Sequence, residues 1–329
     1  MIESFKIYAG IDVSKSWLDV TVYHSEDSKI VYHARIDNTK KSIGLFLKEL
    51  KKELNFNLEE ILFILEHTGK YGECFLNCSI KFKLQVWVET PLQIKRSMGL
   101  VRGKTDRWDA ERIAMYGYRF RDKAVLWKPI DQTLLELKSL QSKRNLLVKS
   151  HRQLSQENKN DVDFKAPLSA IKKSIASIEH KIESLILEHE SYKTQYEILQ
   201  SVPGIGMQTA TALIITTHGF TRLTESRQLS CYAGVAPFAY SSGSSIRGRT
   251  KVSKMGDMKL KSLLNLSAWN AIRSIPTFKE YYAKKVALGK HKLSVINAIR
   301  NKLIALALAV IKRNSPYIKD FCTINLDLP

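Results

Sequence analysis

Apolar positions in the first hundred residues follow two periods. KIYAGIDV (6–13) is a nearly continuous apolar run that closes on Asp12. WLDVTVYH (17–24) alternates, with Leu18, Val20 and Val22 on one face, and KIVYHARID (29–37) alternates again. A period of two marks half-buried strands, and the short polar turns between them predict an antiparallel meander. TKKSIGLFLKELKKEL then changes period, so that Ile43, Phe46, Leu47 and Leu50 share one helical face, with Asn38 and Thr39 available as caps. EILFILEHTG predicts a fourth strand ending at Glu66, and LQVWVET a fifth, with a short helix between them. Pro91 suits the first turn of another helix, and DRWDAERIAMYGYRF (106–120) reads as one more.

Beyond residue 130 the pattern is helical. Ile171, Ile175, Ile178, Ile182 and Leu185 are spaced as the a and d positions of a heptad, and Leu140, Leu147 and Leu154 recur every seven. Two long helices follow from this, forming an antiparallel hairpin on their own domain or a seam between chains. From 196 onward helices alternate with Gly-rich interruptions, and VINAIRNKLIALALAVIKR, apolar on most sides, reads as core. Three strands, helix, strand, helix, strand, helix is an α/β order, shared with the ribonuclease-H-like (RuvC-like) fold. The expected class is therefore α/β plus α: a RuvC-like mixed sheet domain over 1–128, a coiled-coil helical hairpin over 129–194, and a mainly helical C-terminal domain over 195–329.

Composition narrows the function. Residues 1–100 carry 14 basic and 13 acidic side chains, whereas residues 201–329 carry 19 and 5, and the whole chain is +20. So concentrated a surplus points to a polyanion, because each neutralised phosphate releases condensed counterions. No apolar run reaches the ~18 residues of a spanning helix, and MIESFKIYAG lacks the form of a secretory signal. Four cysteines in 329 residues make no disulfide framework, and Cys74 and Cys78 lack a second ligand pair for zinc. A cytoplasmic protein with no membrane partner is the expectation.

Two constellations carry candidate chemistry. Asp12 closes the first strand, Glu66 the fourth, and Asp106 and Asp109 share a face of the following helix. First and fourth strands are neighbours in a ribonuclease-H-like sheet, so the four acids can converge. Their mutual repulsion is relieved by divalent cations, and oxygen-only ligands suit Mg²⁺ or Mn²⁺ acting on a phosphodiester. Singly, each has a plainer reading: a turn aspartate at Asp12, a helix cap at Asp106.

In the second half, SVPGIGMQTATALI has the form of a helix-hairpin-helix. Gly204 and Gly206 permit a tight turn with positive φ, and the next helix offers its free N–H groups to a phosphate. The alternative is a packing joint. Ser241, Ser242, Gly243, Ser244 and Ser245 form a small loop, followed by Arg247, Arg249, Lys251, Lys254, Lys259 and Lys261. A hydroxyl among cations could attack phosphorus, or the loop could simply touch phosphates. Chemistry does not choose among the serines.

Together GIDVSK, LEHTGKYGE, GKTDRWDA, VPGIGMQTA, YAGVAP and SGSSIRGRTKVSKMGD, spread from about residue 8 to about 310, resemble the DEDD transposases of the insertion-sequence one-hundred-and-ten family, the bridge-RNA-guided recombinases. The resemblance implies metal-binding roles for Asp12, Glu66, Asp106 and Asp109, and a catalytic serine directly before the glycine of the SG motif, Ser242. It implies a homo-oligomer, dimer or tetramer, in which acids of one subunit face the serine of another. It implies donor and target DNA paired to a noncoding bridge RNA, in a bacterial or archaeal nucleoid. Nucleic-acid contacts are expected at Lys104, Gly204, Gly206, Arg247, Arg249, Lys251, Lys254 and Lys259. The chain departs from the family pattern at His67, Met255 and Asp257. Two other readings compete: a RuvC-like metal-dependent nuclease cutting branched DNA without a covalent intermediate, which needs only the acids, and a non-catalytic nucleic-acid-binding scaffold.

Overall fold

The computed structural model describes residues 5–54, 56–97, 99, 106–157, 162–242 and 246–318. The chain forms two compact units, Met1–Pro129 and Ile130–Pro329.

The first unit is built on a five-stranded sheet of order β3-β2-β1-β4-β5. Strands β1 (Ile7–Val13), β2 (Trp17–His24) and β3 (Lys29–Asp37) form the antiparallel meander. Strands β4 (Ile61–Glu66) and β5 (Gln85–Glu89) add in parallel, β4 beside β1. The expected neighbouring of first and fourth strands is observed. Because side chains alternate across a strand, the sheet buries two faces. Ile7, Ile11, Val20, Ile61 and Phe63 pack with Ile43, Phe46, Leu47 and Leu50 of α1 (Lys40–Leu54) and Phe75 of α2 (Glu73–Lys81). On the other face Tyr8, Leu62, Ile64 and Trp87 pack with Ile94 of α3 (Pro91–Ser97) and Ile113, Ala114 and Tyr116 of α4 (Asp106–Arg119). The start of α1 is capped by Thr39, whose Oγ1 accepts from Ser42 N–H at 3.2 Å. Asn38, the other expected cap, instead donates from Nδ2 to Ser14 O and Tyr71 O, at 3.0 and 2.9 Å.

The second unit is mainly helical. Helices α5 (Gln132–Glu157) and α6 (Lys165–Glu188) pack as a hairpin, pinned by Arg144 Nε donating to Glu179 Oε1 at 2.7 Å. Ile182 and Ile186 are fully buried at its base, while Leu147, Leu154, Ile171, Ile175 and Ile178 are half-buried. Then come α7 (Glu190–Gln200), α8 (Met207–Thr217), α9 (Ser226–Tyr232), a two-stranded antiparallel ribbon of β6 (Pro237–Ser242) and β7 (Ile246–Val252), and α10 (Met258–Ser274), α11 (Pro276–Ala287) and α12 (Lys292–Arg313). Helix α12, with 22 residues and mean hydropathy 1.6 in its most apolar window, is long and apolar enough to cross a membrane. Val295, Ile296, Ile299, Leu303, Ile304, Ala307 and Leu308 instead lie in the second unit's core, as its all-round apolar pattern anticipates.

The glycine turn and the serine segment differ from expectation. Gly204 has φ +94°, but a Cβ there would lie 2.5 Å from Ser267 O and 3.0 Å from Ala271, so this turn is seated against α10. Gly206 is extended (φ −95°, ψ −179°) and is the N-cap of α8, so only one of the two glycines uses positive φ. Ser241 and Ser242 belong to β6, in register with Arg247 and Ile246, because pairing with β7 draws small residues of weak strand preference into a ribbon. Residues 243–245 and Lys104 lie outside the described residues, as do the side chains of Asp106, Ser242, Arg247 and Arg249.

Candidate active site

Asp12 and Glu66 stand at the carboxyl ends of adjacent parallel strands. The ladder pairs Gly10 with Ile64 and Ile11 with Leu65, so the next positions are Asp12 and Glu66. Alternation puts both on the face that carries α4, since Tyr8, Leu62 and Ile64 are there. Both are half-buried and both have polar partners.

Helix α4 is drawn onto this face by a missing side chain. A Cβ on Gly10 would lie 2.2 Å from Ala110 O and 2.2 Å from Ala114 N, so only glycine lets the helix backbone seat on β1. Gly117, two turns on, lies against Ile64 and Tyr8. The helix therefore runs from the Asp12 end of β1 back toward its start. Its first turn, with Asp106 and Asp109, projects toward the strand ends that hold Asp12 and Glu66. Asp109 is half-buried and accepts from Arg112 Nη1 at 3.0 Å.

The register extends this into a charged row that the sequence pattern did not reveal. Asp12 pairs with Asp19 of β2, Asp19 with Arg35 of β3, and Glu66 with Glu89 of β5. Asp19 is 1% exposed. Arg35 donates from Nε to both its oxygens, at 3.0 and 3.1 Å, and Nη2 lies 2.9 Å from Oδ2. Arg35 also lies over the Trp17 ring, 5.3 Å from its centroid. Glu89 accepts from Thr90 N–H at 2.7 Å and from Tyr116 O–H at 3.1 Å. Burial, reinforced by the Glu89 charge and hydrogen bond, pushes the Tyr116 phenol up to about 12. Beside the row, His33 Nδ1 meets Thr21 Oγ1 at 3.0 Å, and burial, with Arg107 second, lowers its pKa. The Asn38 bonds to Ser14 O and Tyr71 O tie together the loops that follow β1 and β4. Spacing alone could not show this link, because both acceptors are distant in sequence.

The expected metal ligands supply oxygen only, the donor type of hard divalent cations. Among the described residues, no group of three or more His, Cys, Asp or Glu side chains could hold a metal ion. Two of the four acids bear on this: Asp109 is turned to Arg112, and the Asp106 side chain is outside the description.

In the second unit, Ser242 is the last residue of β6. Arg247, Arg249 and Lys251 occupy alternate positions of β7, and Lys251, Lys254 and Lys259 are exposed. Asp257 caps α10 by accepting from Lys259 N–H and Leu260 N–H at 2.8 and 3.0 Å. Its carboxylate is engaged locally, at the start of the helix that carries Lys259.

Comparison with known proteins places these features. Residues 9–163 match the DEDD family model of the IS110 group, described as a transposase, and residues 196–283 match a model described as "Transposase IS116/IS110/IS902 family". A pilin gene-inverting protein of Moraxella lacunata is 28% identical over 326 residues, covering 95% of this chain and 98% of that one, and its Moraxella bovis counterpart is 28% identical over 327. An uncharacterized 43.6 kDa protein of insertion element IS110 from Streptomyces coelicolor is 29% identical over 150 residues, 46% of this chain and 36% of its own. Among solved structures, Thermus thermophilus RuvC in complex with a Holliday junction substrate superposes with TM-score 0.29 and 13% identity, over 37% of this chain and 99% of that one. The chain belongs to the IS110 family of DEDD transposases and is an enzyme of DNA transposition or recombination.

Proposed function

We propose that this transposase exchanges DNA strands between donor and target by transesterification, with Ser242 as nucleophile and Asp12, Glu66, Asp106 and Asp109 as the metal-binding set. The observation that carries the reading is the adjacency of Asp12 and Glu66 on parallel strands, beneath a helix whose first turn brings two more acids. The Ser242 hydroxyl loses its proton, its oxygen bonds to phosphorus, and the bond from phosphorus to the leaving strand's oxygen breaks, that oxygen taking up a proton. Bound Mg²⁺, or Mn²⁺, would neutralise charge on the phosphoryl oxygens. Reversal on a second strand end regenerates the serine and joins the new partners.

The basic second half is read as the grip on nucleic acid: Lys104, Arg247, Arg249, Lys251, Lys254 and Lys259 on phosphates, with Gly204 and Gly206 shaping a helix-hairpin-helix. Guidance by a bridge RNA, a homo-oligomer of two or four copies and a coiled-coil role for α5 and α6 belong to the same reading. Trapping on a substrate with the native flanking RNA tests it. Wild type should give a protein–DNA adduct in Mg²⁺. Ser242→Ala should abolish the adduct and strand exchange, and Asp12→Ala should lower turnover by roughly 10⁴-fold. Free 5′-phosphate ends with no adduct, and cleavage intact in Ser242→Ala, would favour hydrolysis by the acids alone.

A further inference from the structure

An arginine whose described partners are all neutral lies at the seam of α10 and α12. Arg300 is half-buried, and its Nε is enclosed with no hydrogen-bond acceptor among the described residues. Its other nitrogens donate to neutral amides: Nη2 to Asn265 Oδ1, and Nη1 to Asn297 Oδ1 at 3.5 Å. Among the described residues no carboxylate pairs with it. Lys261, half-buried one turn before Asn265 on α10, is held below its ordinary pKa by burial and by the Arg300 charge. Lys261 and Arg300 thus meet at the α10–α12 seam, Lys261 one helical turn from the Asn265 amide that accepts from Arg300.

Acids are sparse in this part of the chain. Residues 201–329 contain Glu225, Asp257, Glu280, Asp320 and Asp327. Glu225 pairs with Lys312 at 3.1 Å, Asp257 caps α10, Glu280 sits on α11, and the last two lie outside the described residues. A buried cation without a counter-charge is costly, and an incoming anion removes the cost. The seam is also tied to the serine ribbon. Asn297 and Asn301 both donate to Val235 O, at 2.8 and 2.9 Å, two residues before β6 begins.

We propose that Lys261 and Arg300 receive a phosphodiester of the nucleic-acid backbone, seating the strand beside the entry to the ribbon that ends at Ser242. Guanidinium and ammonium together suit a phosphate, the first through its fixed fork and the second as a point charge. This rests on the reading of the chain as a nucleic-acid enzyme, but the site has its own test. In the full chain, inorganic phosphate should raise the thermal midpoint of wild type above that in chloride of equal ionic strength. The shift should vanish in Arg300→Gln and shrink in Lys261→Gln, which alters a half-exposed side chain and decides the matter if the arginine variant fails to fold. With fluorescent duplex DNA and, separately, an RNA hairpin, either variant should reduce the salt slope of log affinity by about 1. The arm that responds identifies the strand held. Equal phosphate shifts and equal slopes in wild type and Lys261→Gln would overturn the proposal. Strand exchange failing in an otherwise phosphate-responsive wild type would instead count against the serine reading.

Discussion

Asp19 in the first unit is an enclosed charge and Arg300 in the second a half-buried one, and they keep opposite company. Asp19 is almost fully enclosed, yet both its oxygens accept from Arg35. Arg300 has its Nε enclosed and, among the described residues, meets only amide oxygens. The first unit thus completes its own electrostatics beside the acids it presents, in a stretch whose first hundred residues hold 14 basic and 13 acidic side chains. The second, with 19 basic and 5 acidic residues from 201 onward, leaves charge to be met from outside. Rigid acids at strand ends need fixed positions and local neutrality. A surface that receives a polyanion needs standing positive charge.

The sharpest way to break the first unit's half of this comparison is Gly10→Ala. The added methyl meets helix backbone at 2.2 Å, and no side-chain rotation relieves it, so α4 must lift from β1. A loss of about 3 kcal/mol is expected in urea unfolding. Any response of the thermal midpoint to Mn²⁺ should fall with it, since Asp106 and Asp109 ride on α4. Gly204→Ala is the control from the second unit. It strains a positive φ and, as at Gly10, crowds a helix, here α10, but it should leave the Mn²⁺ response unchanged. An equal loss of that response in both variants would show that it reports global stability and not the seating of α4.

Next in size is the pair that keeps Asp19 enclosed. Arg35→Gln leaves a buried carboxylate without its cation and should cost about 2 kcal/mol, less than a fully buried pair because Arg35 itself is half in water. Arg300→Gln, in chloride, should change stability by under about 1 kcal/mol, because the replaced charge has no ionic partner among the described residues. Opposite behaviour, with Arg300 the costlier of the two, would mean that Arg300 is a structural crosslink of α10 and α12, and the comparison would fail.

How far the sequence could see follows the range of each interaction. The strands, α1 and α4 were legible because periodicity is local: Leu18, Val20 and Val22 on one face, Ile43, Phe46 and Leu47 on another. Asp12 and Glu66 were legible as strand ends. Their row mates were not. Asp19 and Glu89 join the row only through cross-strand register, and Asp19 sits in a run, WLDVTVYH, whose polar positions read as solvent-facing although α4 covers them. Gly10 looked like an ordinary apolar-run glycine, because its reason is a helix a hundred residues away. The serine segment was read as loop from its small residues, and its first two positions entered a strand because pairing outweighed propensity. Arg300 carried no signal at all: an arginine in an apolar helix looks surface-bound until its neighbours are known.

The smallest expected effect concerns Arg112, and it bears most directly on the acids. Arg112 and Asp109 are three residues apart on α4, 3.0 Å between Nη1 and Oδ1, with side chains 23% and 25% exposed. Such a pair contributes roughly 0.3–0.5 kcal/mol, so Arg112→Gln should hardly move the urea midpoint. For a cation the substitution matters more. If Asp109 is a ligand, it must turn from the guanidinium to the ion, and Arg112 both competes for the carboxylate and repels the incoming charge. Removing it should lower the Mn²⁺ concentration that half-saturates the thermal-midpoint shift several-fold, while Asp109→Asn should raise it. A titration unchanged by either substitution would take Asp109 out of the metal-binding set and leave its ion pair as a fastening of the first turn of α4.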